Sequence, residues 1–219
     1  VVWFAFTNAD GDFTLENFSG MAAYAVVFWR SFRLAIISTA ACLVLGYPMA
    51  YAMSRLTKKG QTIAMMLIML PMWMNFLLRT YAWLTILENK GLLNTFLKAV
   101  HLPTLSIINT PAAVAVGMIY NYLPFMILPI YTTLTRMDYS LIEAAQDMGC
   151  SSRQIFAKVV FPLSIPGTLS GIIMVFVPAV STFVISKILG GGANMLVGDL
   201  IDMQFLGGTY NANIGSHVG

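Results

Sequence analysis

Charge is what this chain has least of. Only 10% of its 219 residues are Asp, Glu, Lys or Arg, and 58% are hydrophobic. A soluble domain carries about a quarter charged residues, so water is excluded as the main solvent. Mean hydropathy is +0.77. Cysteine and histidine are almost missing as well. Cys42 and Cys150 fall in distant parts of the expected topology, too far apart for a disulfide, and His101 and His217 stand alone, so no metal-ligand cluster forms. There is no G-x-x-x-x-G-K-[ST] phosphate loop and no nucleophile-and-base constellation. Any ATP hydrolysis must therefore reside on another chain. The net charge of +3 reflects loop topology and not a nucleic-acid surface.

Long apolar runs fill the space that charge leaves. Four segments reach the roughly 20 residues that a bilayer crossing needs: Leu34 to Ser54, Thr62 to Leu87, Pro111 to Leu134, and Leu163 to Ser186. They do not alternate polar and apolar faces as a soluble bundle would. The expected fold is all-α, a polytopic transmembrane helix bundle. Arg79 is the sole charge inside any span, and such residues are functional candidates by default.

Loop charge sets the orientation. The link after the first span holds Arg55, Lys58 and Lys59 with no acid, and the link between the last two holds Arg136, Arg153 and Lys158. The positive-inside bias places both in the cytoplasm. Most acids, including Asp10, Asp12, Glu16, Glu88, Asp199 and Asp202, then lie outside. The chain opens on Val1-Val2-Trp3-Phe4 without an initiator methionine and stops at Gly219 in a polar stretch. We expect one further span before Val1 and one after Gly219, making residues 1–219 a single membrane domain with four full spans of six.

Flanking features are weaker. Asn17 to Trp29 reads as a short interface helix anchored by Tyr24, Phe28 and Trp29, and Leu92 to Val100 as an amphipathic helix resting on the bundle. Prolines at 71, 124, 129, 162, 166 and 178 interrupt or open spans, which a bundle tolerates. Gly167 and Gly171 form a G-x-x-x-G that permits close helix contact.

One polar island stands out, S-L-I-E-A-A-Q-D-M-G-C-S-S-R-Q-I-F-A-K-V-V-F-P from Ser140 to Pro162. Ser140 with Glu143 and Ser151 with Gln154 both fit a capping box, and Gly149 suits the left-handed position that ends a helix. The spacing predicts helix, glycine turn, helix, then membrane. Leu141, Ile142, Ala145 and Met148 recur at helical spacing, and Ala144 and Ala145 are small enough for close approach. That apolar face needs a cover. Folding back on the bundle and insertion into another protein's groove are equally compatible with it.

The island also carries a resemblance. Glu143-Ala144-Ala145, then Gly149, then Val159-Val160-Phe161-Pro162 resembles the E-A-A-x-x-x-G…I-x-L-P signature of ABC importer permeases, with Val for Ile and Phe for Leu. The resemblance implies a type I importer permease architecture of the MetI-like kind. It also implies that residues 138–161 form the coupling helix region, seated in a groove of an ATP-binding subunit. A-C-L-V-L-G-Y-P-M-A-Y (41–51), P-M-W-M-N-F-L-L-R (71–79), L-P-F-M-I-L-P-I-Y (123–131) and G-G-G-A-N-M-L-V-G-D-L-I-D-M-Q-F-L (190–206) look like the first permease of spermidine/putrescine importers. That family implies a bacterial cytoplasmic membrane location, a sister permease, two ATPase subunits that bind ATP and Mg, and an external binding protein. No cofactor would sit on this chain itself. The coupling residues implied are Leu141, Glu143, Ala144, Ala145, Met148 and Gly149.

A polyamine would meet aromatic faces and amides, because the spans contain no acid. The candidates are Trp73, Asn75, Tyr81, Trp83, Tyr120, Asn121 and Tyr122. Aromatics near span ends are more often interface belts. Arg79 reads as structural, snorkelling outward or pairing with Glu88, Asp199 or Asp202. Asp199 and Asp202, three apart, would share one helical face as an outer gate or as a plain solvated face. Ferric iron and sulfate permeases share the coupling loop and stand as the alternative cargo. An ion-coupled secondary transporter is the competing class, but it would place ionisable groups near the midplane. A membrane scaffold would leave the loop without purpose.

Overall fold

The computed structural model describes residues 21–191 and 195–206, with side chains from 25 to 191 and from 195 to 203. Among these residues all regular structure is helical. The elements are α1 (Met21–Ser54), α2 (Lys58–Trp73), α3 (Phe76–Leu87), α4 (Leu92–Ala99), α5 (Pro111–Thr135), α6 (Ser140–Asp147), α7 (Ser152–Ile155), α8 (Phe161–Ser181), α9 (Val184–Leu189) and α10 (Val197–Leu206). A π-helical turn, Phe156–Val160, joins α7 to α8.

Among the described residues, three helices are long and apolar enough to cross a membrane: Ala25–Ser54, Pro111–Thr135 and Ser152–Ser181. A fourth crossing exists if the bent pair Lys58–Trp73 and Phe76–Ala99 counts as one broken span. The second expected span is thus not one helix. Met74 donates back to the Pro71 carbonyl at 3.2 Å and then turns extended at ψ 148, so the α2 ladder closes before Asn75. The fourth begins earlier than expected and stops at Ser181, and α9 is a separate helix. The interface helix expected over Asn17 to Trp29 is, from Met21 onward, continuous with the first span; residues 17–20 lie outside the described residues.

Contacts divide the chain into two compact units. The first comprises Val1–Ser38, Leu77–Met118 and Pro178–Gly219; the second comprises Thr39–Phe76 and Ile119–Val177. In the first unit, Val114, Gly117 and Met118 of α5 are buried, and Ile185 and Leu189 of α9 lie over Gly117 so closely that an added Cβ would strike both. Ser31 of α1 accepts the Val197 N–H at 2.8 Å and so fixes the start of α10. Helix α4 forms as expected, with Leu93 and Leu97 half-buried one turn apart on the same side as Asn94. Leu92, Phe96 and Val100 are exposed, while buried Asn94 exchanges two 2.8 Å hydrogen bonds with the Leu105 backbone.

The second unit is built around the latter half of α5, where Met126, Ile127 and Ile130 are fully buried. Small residues let its neighbours close in. A Cβ on Gly46 of α1 would stand 3.0 Å from the Met126 side chain, and one on Gly171 of α8 would stand 2.9 Å from the Met126 sulfur. A Cβ on Gly167 would strike the Thr133 side chain and lie 2.7 Å from the Pro129 carbonyl oxygen. The G-x-x-x-G of α8 is therefore a packing seam within this chain. Backbone cannot yield as a flexible side chain can, so Gly167→Ala should cost about 1–3 kcal/mol. Thermal unfolding of the detergent-solubilised protein checks this; an unchanged midpoint would contradict the seam.

Candidate functional site

The island from Ser140 to Pro162 lies wholly in the second unit. Its entry differs from the expected capping box. Tyr139 already has helical angles (φ −67, ψ −23), so Ser140 sits inside α6, past the position from which a hydroxyl could cap. Asp138 does the work, accepting the Ser140 N–H at 3.0 Å. Hydrogen bonds from the Ser140 backbone and then its side chain hold the Asp138 carboxyl below its ordinary value. Glu143, in the first turn, complements the positive end of α6. The second box forms as the sequence predicts. Ser151 Oγ accepts the Gln154 N–H at 3.4 Å, and Gln154 Oε1 accepts the Ser151 N–H at 2.8 Å. Between the helices Gly149 adopts φ +77, the left-handed region, with no atom within 4 Å of an added Cβ.

The two readings of the apolar face each describe half of it. Ile142 (6% exposed) and Ala145 (3%) are buried with Ile155 and Val160, and Tyr51, Leu134, Met137 and Phe156 pack around them. Leu141 (46%) and Met148 (76%) remain exposed, together with Glu143, Ala144 and Gly149. One flank of α6 is thus anchored on its own bundle. The other presents two large apolar side chains, a small alanine, an acid and a bare glycine turn.

Two features behind the hairpin escaped the sequence reading. An aromatic stack joins α1 to the π turn: Phe156 meets Tyr51 edge-on at 5.3 Å and Tyr47 edge-on at 6.0 Å, and Tyr47 also meets Phe161 at 6.0 Å. Arg55 lies 5.1 Å above the Tyr51 ring. Such pairs contribute about 0.5–1.5 kcal/mol each beyond their buried area. Spacing of 47 and 51 on one helix face was the available signal. The second feature is the π turn, closed by Phe161 N–H on the Phe156 carbonyl. It stands directly before Pro162, whose ring in an unbroken α-helix would press on the carbonyl four residues back.

The candidates for a solute path are not gathered within either unit. Trp73, Asn75, Tyr120, Asn121 and Tyr122 belong to the second, and Arg79, Tyr81, Trp83, Asp199 and Asp202 to the first. Trp73 (88%), Asn75 and Tyr81 are exposed, Trp83 and Tyr120 half-buried, and Asn121, Tyr122 and Arg79 buried. Arg79 is covered by its own chain. The two acids are also engaged. Asp199 Oδ2 accepts the Ser186 hydroxyl at 2.6 Å and the Leu196 N–H at 2.9 Å, and Asp202 pairs with Lys187 at 3.0 Å. Both tie α10 to α9, in place of the free acidic face expected. Burial pushes the Asp199 carboxyl above its ordinary value, opposed by the Ser186 and Leu196 hydrogen bonds.

Comparison with known proteins places these elements in context. Residues 42–215 match the family model described as a binding-protein-dependent transport system inner membrane component. The chain is 39% identical over 199 residues to the spermidine/putrescine transport system permease protein PotB of Escherichia coli (strain K12), covering 89% of this chain and 72% of that protein. The Haemophilus influenzae protein of the same name is 39% identical over 197 residues, covering 88% and 69%. In fold, the chain is similar to a bacterial ABC transporter for import of the acidic polysaccharide alginate, with a TM-score of 0.76 at 16% identity over 100% of this chain and 80% of the other.

Two outcomes test the geometry. Gly149→Ala should destabilise the hairpin by about 1 kcal/mol through backbone conformation alone, and Gly149→Asn, which tolerates the left-handed region, by less. Local hydrogen exchange over 140–160 checks this, and equal exchange in all three proteins would contradict it. A carboxyl raised on folding is best tolerated protonated, so Asp199 supports α10 at low pH, and that support is lost as pH rises through its folded value. Unfolding midpoints should therefore fall with rising pH in the native chain and less in Asp199→Asn. Parallel pH profiles would refute the burial effect.

Proposed function

This chain belongs to the binding-protein-dependent transport system inner membrane components, the permeases of ABC importers, and from that premise we propose that it is a polyamine permease subunit coupled to an ATPase through α6. It is a multi-pass inner-membrane protein, and its relatives are transport permeases, not enzymes. The observation that carries the coupling role is the split face of α6. Ile142 and Ala145 are clamped to the bundle, while Leu141, Glu143, Ala144, Met148 and Gly149 face outward. A helix held rigidly on one side and bare on the other can pass a partner's movement to the spans behind it. The loop charges Arg136, Arg153 and Lys158 support a cytoplasmic position for it.

The partner set follows from the same reading: a sister permease that shares the solute path, two ATP-binding subunits that hold ATP and Mg, and an external binding protein that delivers the solute. Spermidine or putrescine is the proposed cargo, supported by 39% identity to polyamine permeases over most of the chain. With no acid in the spans, this subunit would offer the cation rings and amides, from Trp73, Asn75, Tyr81, Tyr120 and Asn121. Selectivity would then rest mainly on the external protein.

Reconstitution with the partner subunits tests both halves. Spermidine or putrescine with its binding protein should stimulate ATP hydrolysis several-fold over the basal rate. Stimulation by ferric iron or sulfate with neither amine active would overturn the cargo. Gly149→Arg should keep the protein in the membrane yet abolish co-purification of the ATPase subunit; retained co-purification would overturn the docking role.

A further inference from the structure

A cavity of about 360 Å³ opens beside the buried flank of α6, between the end of α1 and the start of α2. Its wall carries Arg55, Lys58, Gln61, Ser54, Tyr51 and Tyr139, and no acid. Neither Arg55 nor Lys58 makes an ion pair among the described residues. Arg55 is held in place by the Tyr51 hydroxyl, to which it donates at 3.2 Å, and by its position over that ring. The α2 N-terminus adds its positive end there, with Thr57 capping the Gly60 N–H. Ser54 ends the first span and Lys58 begins the next helix, so the cavity lies at the level where a bilayer's headgroups would sit.

The cavity does not stop at the charges. Lys58 and Gln61 also line a second groove of about 320 Å³, which continues along α2 past Met65, Met66 and Met69 to Tyr131. Tyr131 donates to Gln61 Oε1 at 3.3 Å where the two meet. Met66 is 65% exposed on a helix with no charge between Lys59 and its end. A cationic pocket at the interface thus runs into an apolar, methionine-lined channel on a membrane helix.

We propose that this pair of cavities is a binding site for one anionic phospholipid, its phosphate on Arg55 and Lys58 and an acyl chain along the α2 methionines. A carboxylate from a water-side protein partner would suit the cations equally well. It would leave the methionine groove empty, which is why the lipid is favoured. The site is independent of what the permease carries, and its test needs neither transport nor ATP hydrolysis.

The full chain in nanodiscs of equal phosphatidylglycerol and phosphatidylcholine, moved to mild detergent and analysed by native mass spectrometry, should retain phosphatidylglycerol in strong preference. Each cation near an anionic lipid is worth about fivefold, so R55Q/K58Q should reduce the preference roughly 25-fold. K59Q removes the same kind of charge from an exposed position outside the pocket and should leave it intact. Equal retention of the two lipids by the native chain would overturn the proposal without recourse to any variant. So would an equal loss in K59Q, or complete displacement of the lipid by soluble glycerol phosphate, which would mark a simple anion site. Release of the lipid when the partner subunits are added would assign the cations to a protein contact and overturn it as well.

Discussion

The outward face of α6 exists only because its other face is held. Ile142 and Ala145 are covered by Tyr51, Leu134, Met137 and Phe156, all from the same unit. Burying an isoleucine side chain contributes about 1.5–3 kcal/mol, a large share of what keeps an eight-residue helix in place. A helix this short is marginal in isolation, so packing and not propensity defines it. Once Ile142 and Ala145 are fixed, helical spacing sends Glu143 and Ala144 to the opposite side, while Leu141 and Met148, at the edge of the same apolar face, are left exposed. The same contact that makes the hairpin rigid therefore makes its remaining surface available.

Behind that contact stands a continuous mechanical path within the unit. The stack of Tyr47, Tyr51, Phe156 and Phe161 ties α1 to the π turn, and Tyr47 Oη lies 2.8 Å from Ser164 Oγ on α8. Gly167 and Gly171 then bring α8 against the α5 backbone, and Gly46 lets α1 close on the Met126 and Ile127 side chains. Displacement of the hairpin would be felt at the heads of these helices with little slack, since close-packed interiors transmit strain. The π turn at Phe156–Val160 lies on this path, between the hairpin and α8.

Much of this was legible in the sequence, and the failures have identifiable causes. Apolar length alone located α1, α5 and α8, and Gly149 and the Ser151–Gln154 box were read correctly because local chemistry dictates them. The Ser140–Glu143 box was not, because the helix starts one residue earlier than its polar signal and Asp138 supplies the cap. Composition could not separate α2 from α3, since Met74 and Asn75 continue an apolar run while the backbone turns extended. Periodicity identified the apolar face of α6 but could not divide it, because burial of Ile142 depends on Tyr51, ninety residues away. Asp199 and Asp202 looked like a free pair for the same reason: Ser186 and Lys187 meet them only through the α9–α10 fold.

The most direct measurement of the central claim is site-specific photo-cross-linking at three neighbouring positions of α6 in native membranes. A photoreactive residue at Leu141 or at Met148 should capture the ATP-binding subunit, whereas one at Ile142 should react within its own chain. Capture of the ATP-binding subunit at Ile142, or its absence at both Leu141 and Met148, would contradict the division of the helix into an anchored and a presented face.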